Sequence, residues 1–339
     1  MNIHCMYTKT ILSVIIVLTT LLISCSEAKK DQLIDLSDSI EIRLSAIADS
    51  ISYIQLETNE DCIIGMVTKM QIRNNMIYIM DHRTMSIYTF DRDGRYISKL
   101  NKAGKGPEEY SYIHSFFVTE NGDIHVLDLG ERKIHVYNSN SEYLLTTKIT
   151  DLVRDFYFDD NKYILYIPDD SEDVDTRRGV YTLDINENKY DSIYTIKGEI
   201  AGAFSLQDWR INVGNSDSWG FINNFDNEVV YMKDDKMIGL RKVEIKNVVR
   251  NLNNDLRNKA DRYALVSYSE TSDLIFWSFM RTSVSGEQNT LLLRYDKRND
   301  DYETYHNIIN DIDSRNIGVP SNISIDNSNI YILPGDLDD

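Results

Sequence analysis

Six histidines, His4, His82, His114, His125, His135 and His306, are the side chains best suited to hold a metal or move a proton in this 339-residue chain. A zinc site needs ligands in close register, such as His-x-x-x-His with an acid nearby, and no pair here has that spacing. His125 and His135 fall on what read as adjacent strands of one hairpin, where they can stand opposite each other. Two such ligands make no zinc site, and solvated strand faces explain them better. The sequence has no Gly-x-Ser-x-Gly elbow, no Walker loop and no Gly-x-Gly-x-x-Gly turn. Gly104-Lys105-Gly106 opens the string GKGPEEY, Gly104 to Tyr110, but neither Ser nor Thr follows the lysine and no helical pattern comes after it. It is not a phosphate loop. No catalytic residue, metal ligand or cofactor is expected from these types and spacings.

The acids point the same way. Asp91, Asp93 and Gly94 share the opening of a calcium loop, yet its remaining acidic positions are missing, and a hairpin turn accounts for them. Asp169 to Asp175 is acidic enough to hold a cation, but self-repulsion into solvent is the simpler reading. Core or inter-blade packing is the commoner fate of tryptophan, but of Trp209, Trp219 and Trp277 the first two stand in an irregular stretch and are the candidates for stacking on a ligand. The formal net charge of −18 excludes a nucleic-acid partner, since the phosphate backbone is bound by clustered Lys and Arg.

What must position these side chains is a repeat. IYIMD at Ile77 to Asp81 is followed by SIYTFDRDG at Ser86 to Gly94; IHVLD at Ile124 to Asp128 is followed by KIHVYNSNS at Lys133 to Ser141. Ile77 matches Ile124, Asp81 matches Asp128, Ile87 matches Ile134 and Asp91 matches Asn138, each pair 47 residues apart with no gap. Short strands with turn residues at that period make a β-propeller blade. The 22 tyrosines suit strands with one buried and one wet side. With 4 Pro and 15 Gly, the turns rest on Asn and Asp.

Taken in order, Lys9 precedes an apolar run from Ile11 to Ile23 that ends in Leu22-Ile23-Ser24-Cys25. A basic start and an apolar segment too short to span a bilayer describe a secretory leader, residues 1–24. Removing it, with its single Lys and no acid, takes the charge from −18 to −19. Residues 25–38 read as a tether and 39–339 as one propeller domain. Ile40 to Leu44 and Ile51 to Leu56 alternate as strands. The first blade is expected at Val67–Arg73, Met76–Asp81, Ser86–Asp91 and Tyr96–Lys102, and the second at Ile113–Thr119, Asp123–Asp128, Lys133–Asn138 and Glu142–Ile149. A third begins near Asp155. A fourth includes Glu228 to Met232, a fifth Leu274 to Phe279 and Thr290 to Tyr295, and a sixth Asn322 to Asp326 and Asn329 to Leu333. Leu252, Leu256 and Ala260 give Asn251 to Arg262 one apolar face, as in a short helix. The expected architecture is an all-β, six-bladed propeller, its last blade incomplete or closed by an amino-terminal strand. Gly104 and Gly106 permit sharp turns, Pro107 fixes φ, and Tyr110 can pack where one blade hands over to the next.

Two resemblances add to this. Leu22-Ile23-Ser24-Cys25 resembles a bacterial lipobox, which implies lipidation of Cys25; Ser26 after it points to the outer membrane by the bacterial sorting rule. The order SYIQLET, IYIMD, FDRDG, GKGPEEY and VLD is similar to that of the NHL-related six-bladed β-propeller lipoproteins of diderm bacteria, whose loop reads Gly-x-Gly-Pro-Gly-Glu-Tyr; Glu108 departs from it. The resemblance implies a propeller fold and an envelope location, and with the sorting rule an outer-membrane lipoprotein facing the periplasm or the outside; the anchor, the repeat and the lack of a catalytic constellation suggest a monomeric binding or scaffold module for a glycan, a peptide or an envelope protein. The alternative is a metal-dependent lyase or lactonase-like hydrolase, as related propellers host at a central channel. In propeller topology the GKGPEEY crossover shares a face with the loops joining second to third strands, which makes Arg83, Tyr110, Arg132 and Arg154, with Trp209 and Trp219, the candidate ligand-binding residues.

Overall fold

A computed structural model describes residues 33–48, 50, 52–159, 161–167, 177–195, 211–212, 219–223, 228–233, 236–245, 261–270, 273–312, 323–326 and 329–332. The leader, Cys25, the acidic run 169–175, Trp209 and residues 251–260 of the helix expected over Asn251 to Arg262 lie outside these residues; Arg262, at its expected end, opens the strand Arg262–Glu270 instead. Among the described residues no helix is long and apolar enough to cross a membrane.

Among the described residues, four antiparallel four-stranded blades follow one another along the chain. The first is Val67–Arg73, Met76–Asp81, Ser86–Asp91 and Tyr96–Leu100; the second is Ile113–Val118, Ile124–Asp128, Lys133–Tyr137 and Tyr143–Lys148. The third is Asp155–Asp159, Lys162–Ile167, Gly179–Asp184 and Lys189–Thr195; the fourth is Ile211–Asn212, Trp219–Asn223, Glu228–Lys233 and Lys236–Lys242. A fifth sheet has five strands, Ile40–Arg43 joining Asp301–Ile309, Gln288–Asp296, Leu274–Thr282 and Arg262–Glu270, and a last hairpin pairs Ile323–Asp326 with Asn329–Ile332. The first strands line a common axis. Val67–Arg73 touches Ile113–Val118, which touches Asp155–Asp159; Ile323–Asp326 touches both Arg262–Glu270 and Val67–Arg73, so the ring closes.

The six-bladed expectation is therefore corrected to a propeller-like, all-β ring with four complete four-stranded blades among the described residues. Closure by an amino-terminal strand is corrected too. Ile40–Arg43 does not complete the last hairpin; it runs parallel to the outer strand of the fifth sheet, Ile42 opposite Ile308. Burial decides this: Leu44 and Ile42 pack with Phe276, Leu292, Tyr305 and Ile308. Just before it, Leu33–Ile34 pairs with Glu244–Ile245, and Ile34 and Leu36 enter the core around Trp277. No strand forms at 52–56. Ile54 and Leu56 pack on the first blade, and Glu57 N–H donates to the Gly94 carbonyl at 2.8 Å.

The blades explain why the sequence repeats. In Met76–Asp81 five of six residues are buried, because a blade packs on neighbours at both faces and its middle strands read as apolar runs. The outer strand Tyr96–Leu100 alternates instead. Tyr78, Met80 and Ile87 of the first blade share one core with Phe116, Val126 and Tyr137 of the second. Asn74 and Asn75 take φ of 51° and 60° in the hairpin that joins the first two strands, a conformation Asn tolerates. Asp91 caps the next turn, its Oδ1 accepting from Asp93 N–H and Arg95 N–H, both at 2.9 Å. This is the hairpin reading of Asp91 to Gly94.

Candidate functional site: the axial mouth

Lys69, Ser115 and Asp155 come from the first strands of the first, second and third blades. Lys69 Nζ donates to Ser115 Oγ at 2.7 Å and to Asp155 Oδ1 at 2.9 Å, and Ser115 Oγ donates to the same Oδ1 at 2.7 Å. For a side chain of the first blade to meet one of the third it must pass in front of the second, so the cluster faces the axis. Phe156 N–H is a further donor to Asp155 Oδ1, at 3.0 Å. Oδ2 takes no hydrogen bond from a described residue. One layer deeper, Gln71 spans to the second blade by donating to Val118 O at 3.3 Å and accepting from Val118 N–H at 3.0 Å.

Above this floor stands an aromatic rim. His82 and Tyr112 stand edge to face with ring centroids 4.8 Å apart, and Tyr112 stacks on His114 at 6.4 Å. Tyr112 is 37% exposed, and Met66 is 54% exposed. His82 N–H donates to Met66 O at 3.0 Å, tying the entry of the first inner strand to the loop after Asp81. Buried carboxylates set the height of this rim. Asp81 accepts from Gly65 N–H at 2.5 Å, Met66 N–H at 3.1 Å, Arg83 N–H at 2.8 Å and Thr84 N–H at 3.2 Å. One repeat later Asp128 accepts from Ser111 N–H at 2.6 Å, Ser111 Oγ at 3.0 Å and Glu131 N–H at 3.1 Å. Each aspartate pins an incoming crossover to its own strand turn.

The GKGPEEY crossover is closed on itself. Gly104 N–H donates to Tyr110 O at 3.0 Å, Glu109 N–H to Gly106 O at 3.1 Å, and Gly106 N–H to Glu109 Oε2 at 2.8 Å. A Cβ at position 104 would collide with that carboxylate, so any larger residue there would push Glu109 out of this contact. A shallow cavity of about 220 Å³ lies against Lys102, Pro107, Glu108 and Tyr143.

The expected site residues divide. Tyr110 is wholly buried, its hydroxyl accepting from Lys102 N–H at 3.0 Å and donating to Met85 O at 2.9 Å. Burial pushes its phenol up to about 12 despite the hydrogen bond from Lys102. Arg83 is exposed on the loop beside His82. Arg132, at φ 54°, is exposed and donates to Thr150 O at 3.2 Å. Arg154 is half-buried, its N–H donating to Tyr166 O at 3.0 Å. Trp219 opens the strand Trp219–Asn223. Lys69, Ser115, Asp155, Tyr112, His82 and His114 are not among the ligand-binding residues that the sequence suggests. The repeat holds the missing signal: Lys69 and Ser115 are 46 residues apart, and Gln71 and Val118 are 47, so residues that meet across the inner strands stand about one repeat apart.

The histidine reading is corrected. His125 and His135 are buried, not on solvated faces, and they are not opposite: His125 pairs with Val136 and His135 with Val126. His125 Nδ1 meets Tyr163 OH at 2.9 Å, and burial lowers its pKa to about 4. His135 Nδ1 meets Thr146 Oγ1 at 2.8 Å. Among the described residues no group of three or more His, Cys, Asp or Glu converges to hold a metal ion.

A family model for a domain of unknown function, DUF4934, matches residues 31–338. No curated protein matches the chain. Among solved structures, a candidate exported protein of Bacteroides fragilis is similar at TM-score 0.66 and 17% identity, with 85% of each chain covered. A DUF4221 family member from Bacteroides vulgatus is similar at TM-score 0.56 and 12% identity, over 82% of this chain and 89% of the other. At these identities the likeness is one of fold.

Proposed function

The chain belongs to the DUF4934 family, and from that premise we propose that it is a cell-envelope binding or scaffold module, held to the outer membrane by lipid on Cys25, that takes a glycan, a peptide or another envelope protein at the axial mouth. The leader at residues 1–24 supports the address, and the description of the Bacteroides fragilis structure as a candidate exported protein agrees with it. The observation that carries the binding role is Tyr112. A ring 37% exposed, in contact with His82 at 4.8 Å and His114 at 6.4 Å and placed at the entry of the inner strand Ile113–Val118, is an amphipathic contact surface that folding covers only in part. Propellers present such surfaces at the axis because each blade contributes one loop to a shared rim.

The test is to screen the purified whole chain against glycan and peptide arrays, in parallel with Tyr112→Ala. At least one ligand should bind in a salt-tolerant way and lose about tenfold in affinity in the variant, the scale of one aromatic contact. Silence of the wild-type protein on both arrays would remove small ligands and leave a protein partner.

A further inference from the structure

We infer that the axial mouth is a saccharide site, in which Lys69 and Asp155 clamp neighbouring hydroxyl groups of one sugar and Tyr112 packs on its apolar face. This rests on the binding role proposed above and narrows its ligand class. Unmet hydrogen bonds are its basis. Three donors converge on Asp155 Oδ1, from Lys69, Ser115 and Phe156, while Oδ2 takes none from a described residue. Lys69 directs its ammonium at Ser115 Oγ and Asp155 Oδ1, and an ammonium carries three N–H donors. The side chains of Lys69 and Asp155 are 30% and 13% exposed, so both reach solvent. A ligand that meets both needs must donate to Oδ2 and accept from Nζ within a few ångströms. A pair of neighbouring hydroxyls does this, since each is donor and acceptor together.

Other ligand classes fit less well. A carboxylate or phosphate would find its cation already neutralised by Asp155 at 2.9 Å, and the chain's net charge of −18 would oppose its approach. An ammonium could donate to Oδ2 but has no acceptor to offer Lys69 Nζ, so it would meet only half of the pair. A neutral polyhydroxyl ring satisfies the pair with charge-assisted hydrogen bonds and brings C–H groups for the exposed tyrosine.

The test titrates the whole chain by calorimetry with neutral hexasaccharides of glucose, mannose and xylose and with a set of peptides. The expected result is binding of at least one hexasaccharide, little changed between low and high salt. Tyr112→Ala and Asp155→Asn should each weaken it about tenfold, and Tyr112→Phe should stay within about twofold, since it keeps the ring. Asp155→Asn also touches the tie between blades, so its thermal midpoint is measured alongside; if that variant unfolds, Tyr112→Ala and Tyr112→Phe, at the surface, decide the outcome. Peptide binding that Tyr112→Ala weakens, with every hexasaccharide silent, would overturn the sugar assignment and leave the mouth as the binding site. Hexasaccharide binding that Tyr112→Ala and Asp155→Asn leave unchanged would overturn the mouth itself.

Discussion

Single side chains at this protein's blade junctions bear much of its geometry. Tyr110 ties the crossover to the Met85 turn through one hydroxyl with three main-chain partners, Lys102 N–H, Met85 O and, at 3.5 Å, Leu100 O. Tyr110→Phe keeps the ring but strands Lys102 N–H and Met85 O, so it should cost about 1–3 kcal/mol in urea unfolding, whereas Tyr112→Ala should stay within about 0.5 kcal/mol. His125 makes stability depend on pH. Its pKa is lowered to about 4 by burial, against an ordinary value near 6.5, so the unfolded chain takes up a proton that the folded chain refuses. The stabilisation is complete above about pH 6.5 and is lost as pH falls through that value toward 4, by up to about 3 kcal/mol. His135, lowered by burial as well, acts in the same direction. Replacing His125 by Phe should flatten, without abolishing, the fall in unfolding midpoint between pH 6.5 and 4; an unchanged slope would show that His125 is not the group titrating.

At the scale of elements, the amino-terminal segment is a strap across two sheets. Leu33–Ile34 binds the strand Glu244–Ile245, Ile40–Arg43 binds Asp301–Ile309, and Ser45 donates to the Asp311 carboxylate from its N–H at 3.1 Å and its hydroxyl at 2.6 Å. Between the two pairings Leu36 is 1% exposed in the core around Trp277. Leu36→Ala should cost about 2–5 kcal/mol, the usual range for an emptied leucine site. The strap should then be cut by limited proteolysis before the blades are, and equal cutting in both proteins would show that the strap is not a separate unit. The strap also shows where sequence patterns stop being informative. IEIRL alternates as a strand should, and it is one, but nothing in those residues names the edge that receives it. ISYIQL alternates equally well and forms no strand over 52–56, because its apolar residues pack against the first blade without a ladder partner.

The whole molecule is a ring, and its proposed address follows from its first 25 residues. If Cys25 carries lipid, Cys25→Ser should move the protein from the membrane fraction to the soluble fraction of fractionated cells with an unchanged unfolding midpoint; membrane retention of the variant would refute the anchor. The repeat determined much by itself: strand positions in the first two blades within a residue or two, the Asx hairpin turns, the all-β class and the crossover face. Period and turn chemistry are local, so residues separated by 47 positions display them without reference to the rest of the chain. What only the tertiary structure decided is how the repeats end and what meets at the centre. The number of complete blades, the partner of Ile40–Arg43, the burial of His125 and His135, and the meeting of Lys69, Ser115 and Asp155 all depend on contacts between segments far apart in sequence. Packing and ring closure fix those contacts, and no single stretch of sequence contains both sides of any of them.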